Sequence, residues 1–201
     1  MPEFSRDGAF IVNCAISPRV SLEHWPYQQN SGLGGSAAWA LLNGKNPVES
    51  ELGAGVGWQD PAVIIETGLC VWRSGPRPVL DMKVNPDWLL GRMAIFWTNI
   101  PHDTAALAVK RRDYTRIADA GYMARQAVVH RDFQGLMTAV SMSYHAQISE
   151  GMTPLPEFAG TVRKYVGSGH GGYAVYLFTV PAARPEFLEL KDTLAIEPYL
   201  R

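Results

Sequence analysis

Short apolar runs, separated by turns rich in glycine and proline, dominate the first half of the chain. Residues 9–16 are apolar and partly β-branched, and Val20 and Leu22 then alternate with polar neighbours, so two strands joined at Ser17-Pro18 are predicted. Three later runs are also typical of strands, at residues 69–72, 79–84 and 92–97. The turn Ser74-Gly75-Pro76 separates the first two of these runs and predicts an antiparallel hairpin.

The middle third of the chain changes to a helical period. Apolar residues recur at steps of three and four over 114–128 and again over 133–148, which predicts two amphipathic helices with one buried stripe each. Shorter helices are predicted at 37–42, 103–110 and 154–164, and further strands at 173–180 and 194–199. This order separates the helices from a mostly antiparallel sheet, so the predicted fold class is α+β.

Composition narrows the function classes. The 201 residues suffice for one large domain or for two small lobes that share a core. The 18 basic and 19 acidic residues leave a formal charge of -1, which does not favour a nucleic acid or an anionic membrane as partner. We expect a cytoplasmic protein without a membrane partner, because neither a signal-peptide-type apolar run nor a bilayer-length stretch is seen.

The two cysteines, Cys14 and Cys70, lie in apolar, strand-like surroundings. Neither belongs to a CxxC pair or has a histidine at metal-ligand spacing, which argues against a structural zinc site. We therefore interpret both as small core residues and not as a redox pair.

A glycine-rich segment before the helix at 37–42 carries the clearest chemical signal. Glycines let the backbone approach an anion closely, and the helix that follows presents unpaired N–H groups and the positive end of its dipole. The glycine spacing matches neither a Walker A loop nor the Rossmann fingerprint. The alternative is that this glycine-rich turn is only a tight structural connection, which is about as frequent as a phosphate-binding loop. The residues predicted to bind phosphate are Ser31, Gly32, Leu33, Gly34, Gly35, Ser36 and Ala37.

The same segment, SGLGGSAA, resembles the second motif of the GHMP kinases (galactokinase, homoserine, mevalonate and phosphomevalonate kinases), whose usual form is G-L-G-S-S-A-A. Four other segments are similar to family segments and occur in the family's order. They are DGAFIVNCAISPRVSL at 7–22, GAGVGWQDP at 53–61, GRMAIFWTNIPHDTAAL at 91–107 and KYVGSGHGGYAVYLF at 164–178. The similarities are strongest to the sugar 1-kinases and to heptose and fucose kinases.

This resemblance implies a two-lobed GHMP-kinase-like fold. It implies a ribosomal protein S5 domain 2-like lobe that binds nucleotide and phosphate at 1–90, and a ferredoxin-like βαβ lobe at 91–201. The family's first motif has no counterpart here, and residues 25–30 replace a longer region that normally holds the adenine. The first lobe is therefore expected to be truncated.

The resemblance also implies a reaction, the transfer of a phosphoryl group from ATP to a hydroxyl of a sugar or sugar phosphate, with Mg2+ bound. Asp60 matches the family's catalytic aspartate, which orients or deprotonates the acceptor hydroxyl. The ordinary alternative is a cap or turn residue beside Pro61. Ser36 and Glu49 match the metal-binding positions, with Glu51 as the alternative to Glu49; a solvated surface pair explains the two glutamates nearly as well.

Substrate contacts are expected at two places. Trp58 and Gln59 lie beside Asp60, and an indole can stack on the apolar face of a sugar ring, although a core tryptophan is the more frequent finding. The segment at 164–178 resembles the family's third motif, a glycine-rich turn before a strand. The contacts expected there are Gly169, His170 and Gly171, where a tight turn is the ordinary alternative. Lys164 is similar to a lysine that precedes this motif in sugar kinases, and an exposed cation at a helix end explains it equally well.

Two other functions remain open at this point. A truncated first lobe is also consistent with a non-catalytic or partner-dependent GHMP-like binding module. A decarboxylase-type member of the same superfamily is the second alternative, because those enzymes keep an aspartate near the position of Asp60. Several aromatic residues on short edge-like segments predict a homodimer, since a truncated lobe must cover its exposed sheet.

Overall fold

The computed structural model describes residues 9–101, 112–167 and 169–200, and its strands form two antiparallel sheets. The first sheet has the order β1-β3-β4, with β1 at Phe10–Cys14, β3 at Leu69–Arg73 and β4 at Val79–Val84. The second has the order β2-β8-β5-β7-β6. Its strands are β2 at Ile16–Ser17, β5 at Met93–Trp97, β6 at Thr161–Tyr165, β7 at Tyr173–Phe178 and β8 at Thr193–Pro198.

The helices are separated from the strands along most of the chain. Three of them lie between β2 and β3: α1 at Gly35–Leu42, α2 at Pro47–Gly53 and α3 at Gln59–Glu66. Two long helices follow β5, α4 at Tyr114–His130 and α5 at Phe133–Ser149, and the short α6 at Arg184–Leu188 precedes β8. No helix in the described ranges is both long and apolar enough to cross a membrane.

The second sheet has a ferredoxin-like arrangement. Strands β5 and β6 are both antiparallel to β7, which lies between them, so the two are parallel to each other. The helices α4 and α5 connect them, and β8 pairs with the free side of β5. This is a split β-α-β unit completed by a second helix and strand, and it confirms the α+β prediction.

One core cluster joins the two sheets. Val71 of β3, Ile95 of β5 and Val128 of α4 are fully buried within it. Burying each of these side chains contributes about 1.5–3 kcal/mol. The chain also passes from one sheet to the other at Ala15, whose N–H donates to Gly68 O at 2.9 Å. A division into lobes at 1–90 and 91–201 stays a prediction, and the described residues on either side share this core.

The cysteines lie on adjacent strands. Asn13 is the cross-strand partner of Cys70, and Leu69 is the partner of Cys14. Since side chains alternate along a strand, the two thiols point to opposite faces of the sheet. Burial raises the pKa of Cys14 to about 12 and the pKa of Cys70 to about 11, so both stay protonated at neutral pH.

Two predicted elements differ from the structure. The strand expected around Val20 and Leu22 is absent from the described residues, because β2 ends at Ser17 and Leu22 is 76% exposed, without a neighbouring strand to cover it. The helix expected at 154–164 is wrong: its second half is strand β6, which follows a left-handed turn at Gly160 (φ 70°) and pairs with β7. The helix expected at 103–110 lies outside the described residues.

Two helices, α2 and α3, were not predicted, because the glycines at 53, 55 and 57 suggest a loop. Asn46 caps α2 by accepting hydrogen bonds from the N–H groups of Val48 and Glu49 at 3.0 and 3.2 Å, and Pro47 takes the first helical position. The glycines at 53, 55 and 57 instead end α2 and connect it to α3. These two helices carry the acidic residues of the candidate site.

Candidate active site

The predicted phosphate loop leads directly into α1. Gly32 and Gly34 adopt left-handed backbone conformations, with φ of 76° and 69°. Gly34 is the N-cap residue of α1, so no side chain accepts a hydrogen bond from the first-turn N–H groups, and no acidic residue lies in that turn. These N–H groups and the positive end of the helix dipole are suited to bind an anion such as a phosphate.

Asp60 packs against this loop. It lies in the first turn of α3, and a Cβ on Gly34 would lie only 3.0 Å from Asp60 Cβ and 3.0 Å from Ile64 Cδ1. Only a glycine therefore allows α3 to come this close to the loop. The structure thus places Asp60 directly against the predicted phosphate loop.

A second glycine loop follows β6, with Gly167 and the residues 169–172, and it contacts the phosphate loop. A Cβ on Gly167 would lie 3.0 Å from the carbonyl oxygen of Gly32, and the N–H of Tyr173 donates to Ser31 O at 2.9 Å. The two glycine loops therefore lie against each other at Gly32 and Gly167. His170 lies in this second loop with φ 56° and is partly buried.

Opposite charges surround the Asp60 carboxyl. Burial, followed by the negative charge of Glu51, raises the pKa of Asp60 to about 6, while the ammonium of Lys164 acts in the opposite direction. Lys164 lies on β6, and burial, followed by the charge of Arg112, lowers its pKa. Arg112 in turn forms an ion pair with Glu150 at 2.8 Å. The charge of Asp60 is therefore sensitive to a carboxylate and to an ammonium group, which act on its pKa in opposite directions.

Of the two glutamates considered for metal binding, Glu51 lies in the site. Ser36 Oγ donates a hydrogen bond to Glu51 Oε1 at 2.5 Å, and Glu51 is 9% exposed. The structure does not support Glu49, the first choice, because that side chain is exposed and forms an ion pair with Arg77 at 2.6 Å. Residues two apart on a helix point to nearly opposite sides, so α2 cannot bring both glutamates to Ser36.

The Ser36–Glu51 pair fits a magnesium ion by its chemistry. Mg2+ prefers oxygen ligands and is commonly bound by one or two carboxylates together with the phosphates of a substrate. A hydroxyl and a carboxylate next to the phosphate loop provide that combination. The described ranges contain no group of three or more His, Cys, Asp or Glu side chains that could hold a metal ion. A magnesium ion at Ser36 and Glu51 would therefore need phosphate oxygens as further ligands.

The structure contradicts the predicted role of Trp58 in stacking on a sugar. Its side chain is 2% exposed, its Nε1 donates to Gly75 O at 2.8 Å, and its ring packs edge-to-face on Trp72 at 5.9 Å between centroids. It is a core residue with no free face for a ligand. Gln59, Gly169, His170 and Gly171 remain predictions as substrate contacts.

One aromatic residue near the loop was not singled out from the sequence. Trp25 is 38% exposed, and its Cζ2 would lie 3.4 Å from a Cβ placed on Gly35, the first residue of α1. Its position just before the glycine segment is the only sequence signal that could have indicated it. The indole is thus a ready reporter of anything that binds at this helix end.

The comparisons with known proteins are structural. No protein-family model and no curated protein matches this sequence. The chain is similar to a Lin0012 protein from Listeria innocua (TM-score 0.59, 15% identity), with 83% of this chain and 61% of that chain covered. It is also similar to L. major mevalonate kinase in complex with R-mevalonate (TM-score 0.59, 18% identity, 84% and 65% covered) and to a mevalonate kinase (TM-score 0.61, 14% identity, 86% and 67% covered).

The chain spans about three fifths to two thirds of the length of these solved chains. At 14–18% identity the likeness concerns the fold and not the activity. The chain therefore has the α+β fold of the GHMP kinases.

Proposed function

We propose that this protein is a small-molecule kinase that transfers the terminal phosphoryl group of ATP to a hydroxyl of a sugar or sugar phosphate. The observation that carries the proposal is the packing of Asp60 against Gly34, which holds a carboxylate beside a loop suited to bind phosphate. A base next to a phosphate site is the arrangement that phosphoryl transfer to an alcohol requires.

The two glycine loops would hold the phosphates of ATP. The first-turn N–H groups of α1 point toward the loop without a side-chain cap among the described residues, and Gly167 of the second glycine loop lies against Gly32. Backbone donors of this kind bind phosphate oxygens and remain fixed during the reaction. Lys164 adds a positive charge next to Asp60, where it can offset charge on the transferred group.

Asp60 would act as the base. With a pKa of about 6 it is ionised at neutral pH, and it is basic enough to accept the proton of the acceptor hydroxyl as that oxygen bonds to phosphorus. The bond from phosphorus to the leaving oxygen breaks in the same transfer, so that ADP and a phosphate ester are the products. Ser36 and Glu51 would hold Mg2+, which neutralises charge on the phosphates.

A second candidate is a module that binds a phosphorylated ligand without turning it over. It rests on the first-turn N–H groups of α1, which can bind a phosphate whether or not a transfer follows. Both candidates use the same glycine loop. They differ only in whether Asp60 meets an acceptor hydroxyl in a position to react.

Calorimetry and a turnover assay separate the two. ATP is titrated into the protein with and without Mg2+, and a panel of sugars and sugar phosphates is then tested for ADP release. The kinase proposal expects Mg2+-dependent binding of ATP and release of ADP with at least one acceptor. Binding without turnover on any acceptor would favour the binding module, and no binding of ATP would contradict both.

A further inference from the structure

Three polar or charged residues of the described part are almost fully buried, namely Ser31, Glu51 and Gln147, and two of them belong to the candidate site. Gln147 does not. It lies near the end of α5, on the far side of strand β6 from β7, and it is 4% exposed. A buried amide without partners costs free energy, so its bonds deserve an explanation.

The Gln147 amide forms two hydrogen bonds with a single residue of β6. Its Nε2 donates to Tyr165 O at 3.1 Å, and Tyr165 N donates to its Oε1 at 2.9 Å. Strand β6 is the last strand of its sheet, so its outer backbone groups have no strand to pair with among residues 9–101, 112–167 and 169–200. The side-chain amide, which carries one donor and one acceptor side, replaces the missing strand at this position.

Tyr165 is consequently fixed on three sides. Besides the two bonds to Gln147, its hydroxyl donates to Thr153 O at 2.9 Å, and its side chain is 2% exposed. Lys164 precedes it directly, and Gly167, which contacts Gly32, follows two residues later. Any displacement of Tyr165 therefore moves both the ammonium group beside Asp60 and the second glycine loop.

We propose that Gln147 is a positioning residue, which holds the end of β6, and with it Lys164, so that the second glycine loop lies against the first. The proposal deepens the proposed function, since it assigns Gln147 to the site that would transfer the phosphoryl group. Within the described part of the chain, the Gln147 amide bonds to Tyr165 and not to Asp60 or the phosphate loop, so it acts through Tyr165.

The test measures the pKa of Asp60 by carboxyl-carbon NMR in aspartate-labelled protein, with Asp60→Asn to assign the signal. Lys164→Met removes the positive charge that faces Asp60 and is expected to raise this pKa by about half a pH unit or more. Gln147→Met has nearly the same size as glutamine but lacks both hydrogen bonds, and it is expected to raise the pKa in the same direction. Glu51 and Arg112, the other charges facing this pair, stay unchanged in both variants.

Two controls separate positioning from simple loss of stability. Tyr165→Phe removes the bond to Thr153 O at the same strand position but keeps both backbone bonds to Gln147, and Gln134→Met makes the same chemical change at an exposed position of the same helix. Both are expected to leave the pKa of Asp60 within about 0.2 pH units of the original, because neither releases the backbone of β6. If Gln147→Met does not fold, Gln147→Asn, whose shorter side chain cannot make both bonds, takes its place.

A pKa of Asp60 that stays unchanged in the Gln147 variants, while it rises in Lys164→Met, would overturn the proposal. So would an equal rise in Tyr165→Phe, because that result would make the effect a general consequence of destabilisation. The NMR measurement needs no turnover, so a protein that fails to release ADP would contradict the proposed function and leave this test intact. In an active enzyme, Gln147→Met is further expected to lower kcat by about tenfold with little change in KM for ATP.

Discussion

Ser36, in the first turn of α1, donates a hydrogen bond to Glu51 of α2, fifteen residues further along the chain. The contact joins the helix that begins at the phosphate loop to a second helix that the sequence does not suggest. It also places a hydroxyl and a carboxylate side by side at the edge of the loop. Two oxygen ligands in this position are what a magnesium ion bound to a nucleotide would use.

This pair leads to a prediction with a control two residues away. Glu51→Gln should increase the Mg2+ concentration needed for half-maximal ATP binding by about tenfold or more, because an amide is a much weaker ligand than a carboxylate. Glu49→Gln should change it by less than about twofold, since Glu49 pairs with Arg77 on the surface. The measurement is a magnesium titration at fixed ATP, followed by calorimetry. Equal effects in the two variants would exclude Glu51 as the metal ligand.

The choice between these glutamates shows where sequence reasoning reaches its limit. Spacing along the chain favoured Glu49, but the orientation of a helical side chain depends on where the helix begins. Asn46 and Pro47 set that start, and the glycines that follow suggested a loop. The long amphipathic helices and most strands could be predicted, because their period repeats over many residues.

Trp58 and strand β6 illustrate the other reason why the rest could not be predicted. Whether the Trp58 indole is buried or free to bind a ligand depends on residues distant in sequence that pack against it. Here these are Trp72, which packs on its ring, and Gly75, whose carbonyl oxygen accepts its N–H. Similarly, residues 161–165 form a strand because they pair with β7. That partner lies further along the chain, so a local sequence pattern does not reveal the pairing. The glycine loop, Asp60 and Lys164 could be singled out from the sequence. Gln147 could not, because its two hydrogen bonds to Tyr165 depend on the packing of α5 against β6.

Asp60→Asn separates catalysis from stability. The variant should lose turnover by about a thousandfold, because asparagine cannot accept the proton, and should keep ATP binding within about threefold. It should also be more stable at pH 7.5. The folded pKa of about 6 lies above the ordinary aspartate value of 3.8, so the ionised carboxyl disfavours the fold at neutral pH, and stability rises as the pH falls from about 6 toward 4.

The size of this gain is about 1–3 kcal/mol at pH 7.5, and it should shrink at pH 5, where Asp60 is largely protonated. Urea denaturation at the two pH values measures it. Asp81→Asn is the matched control with the opposite sign. Arg125 and Arg73 hold the pKa of Asp81 below its usual range, so its carboxylate stabilises the fold and the variant should be less stable at pH 7.5. A loss of stability in Asp60→Asn would show that burial of the ionised Asp60 carboxylate does not destabilise the fold.

The pH dependence of catalysis should report the same carboxyl. For the unmodified protein kcat/KM is expected to fall below about pH 6 with the slope of a single protonation, since only ionised Asp60 can act as a base. Glu51→Gln should move this limb to lower pH, because it removes a neighbouring negative charge, whereas Lys164→Met should move it to higher pH. The profiles are measured at saturating Mg2+. Shifts in the same direction for the two variants would contradict Asp60 as the titrating group.

The last prediction concerns the close approach between the phosphate loop and α3. Gly34→Ala and Gly44→Ala introduce the same methyl group at the same left-handed φ of 69°, so the backbone strain is alike, about 1–2 kcal/mol in each. Around Gly44 no described atom lies within 4 Å of the added carbon, whereas at Gly34 it would lie 3.0 Å from Asp60 Cβ and from Ile64 Cδ1.

Gly34→Ala must therefore push α3 away from the loop. It should lower kcat/KM by about a hundredfold or more, since a misplacement on the scale of one ångström at a reacting group has that effect. Gly44→Ala should lose a similar amount of stability and keep kcat/KM within about twofold. Thermal unfolding and steady-state kinetics on both variants check the prediction, and similar kinetics in the two would mean that the distance between Asp60 and the loop does not govern the reaction.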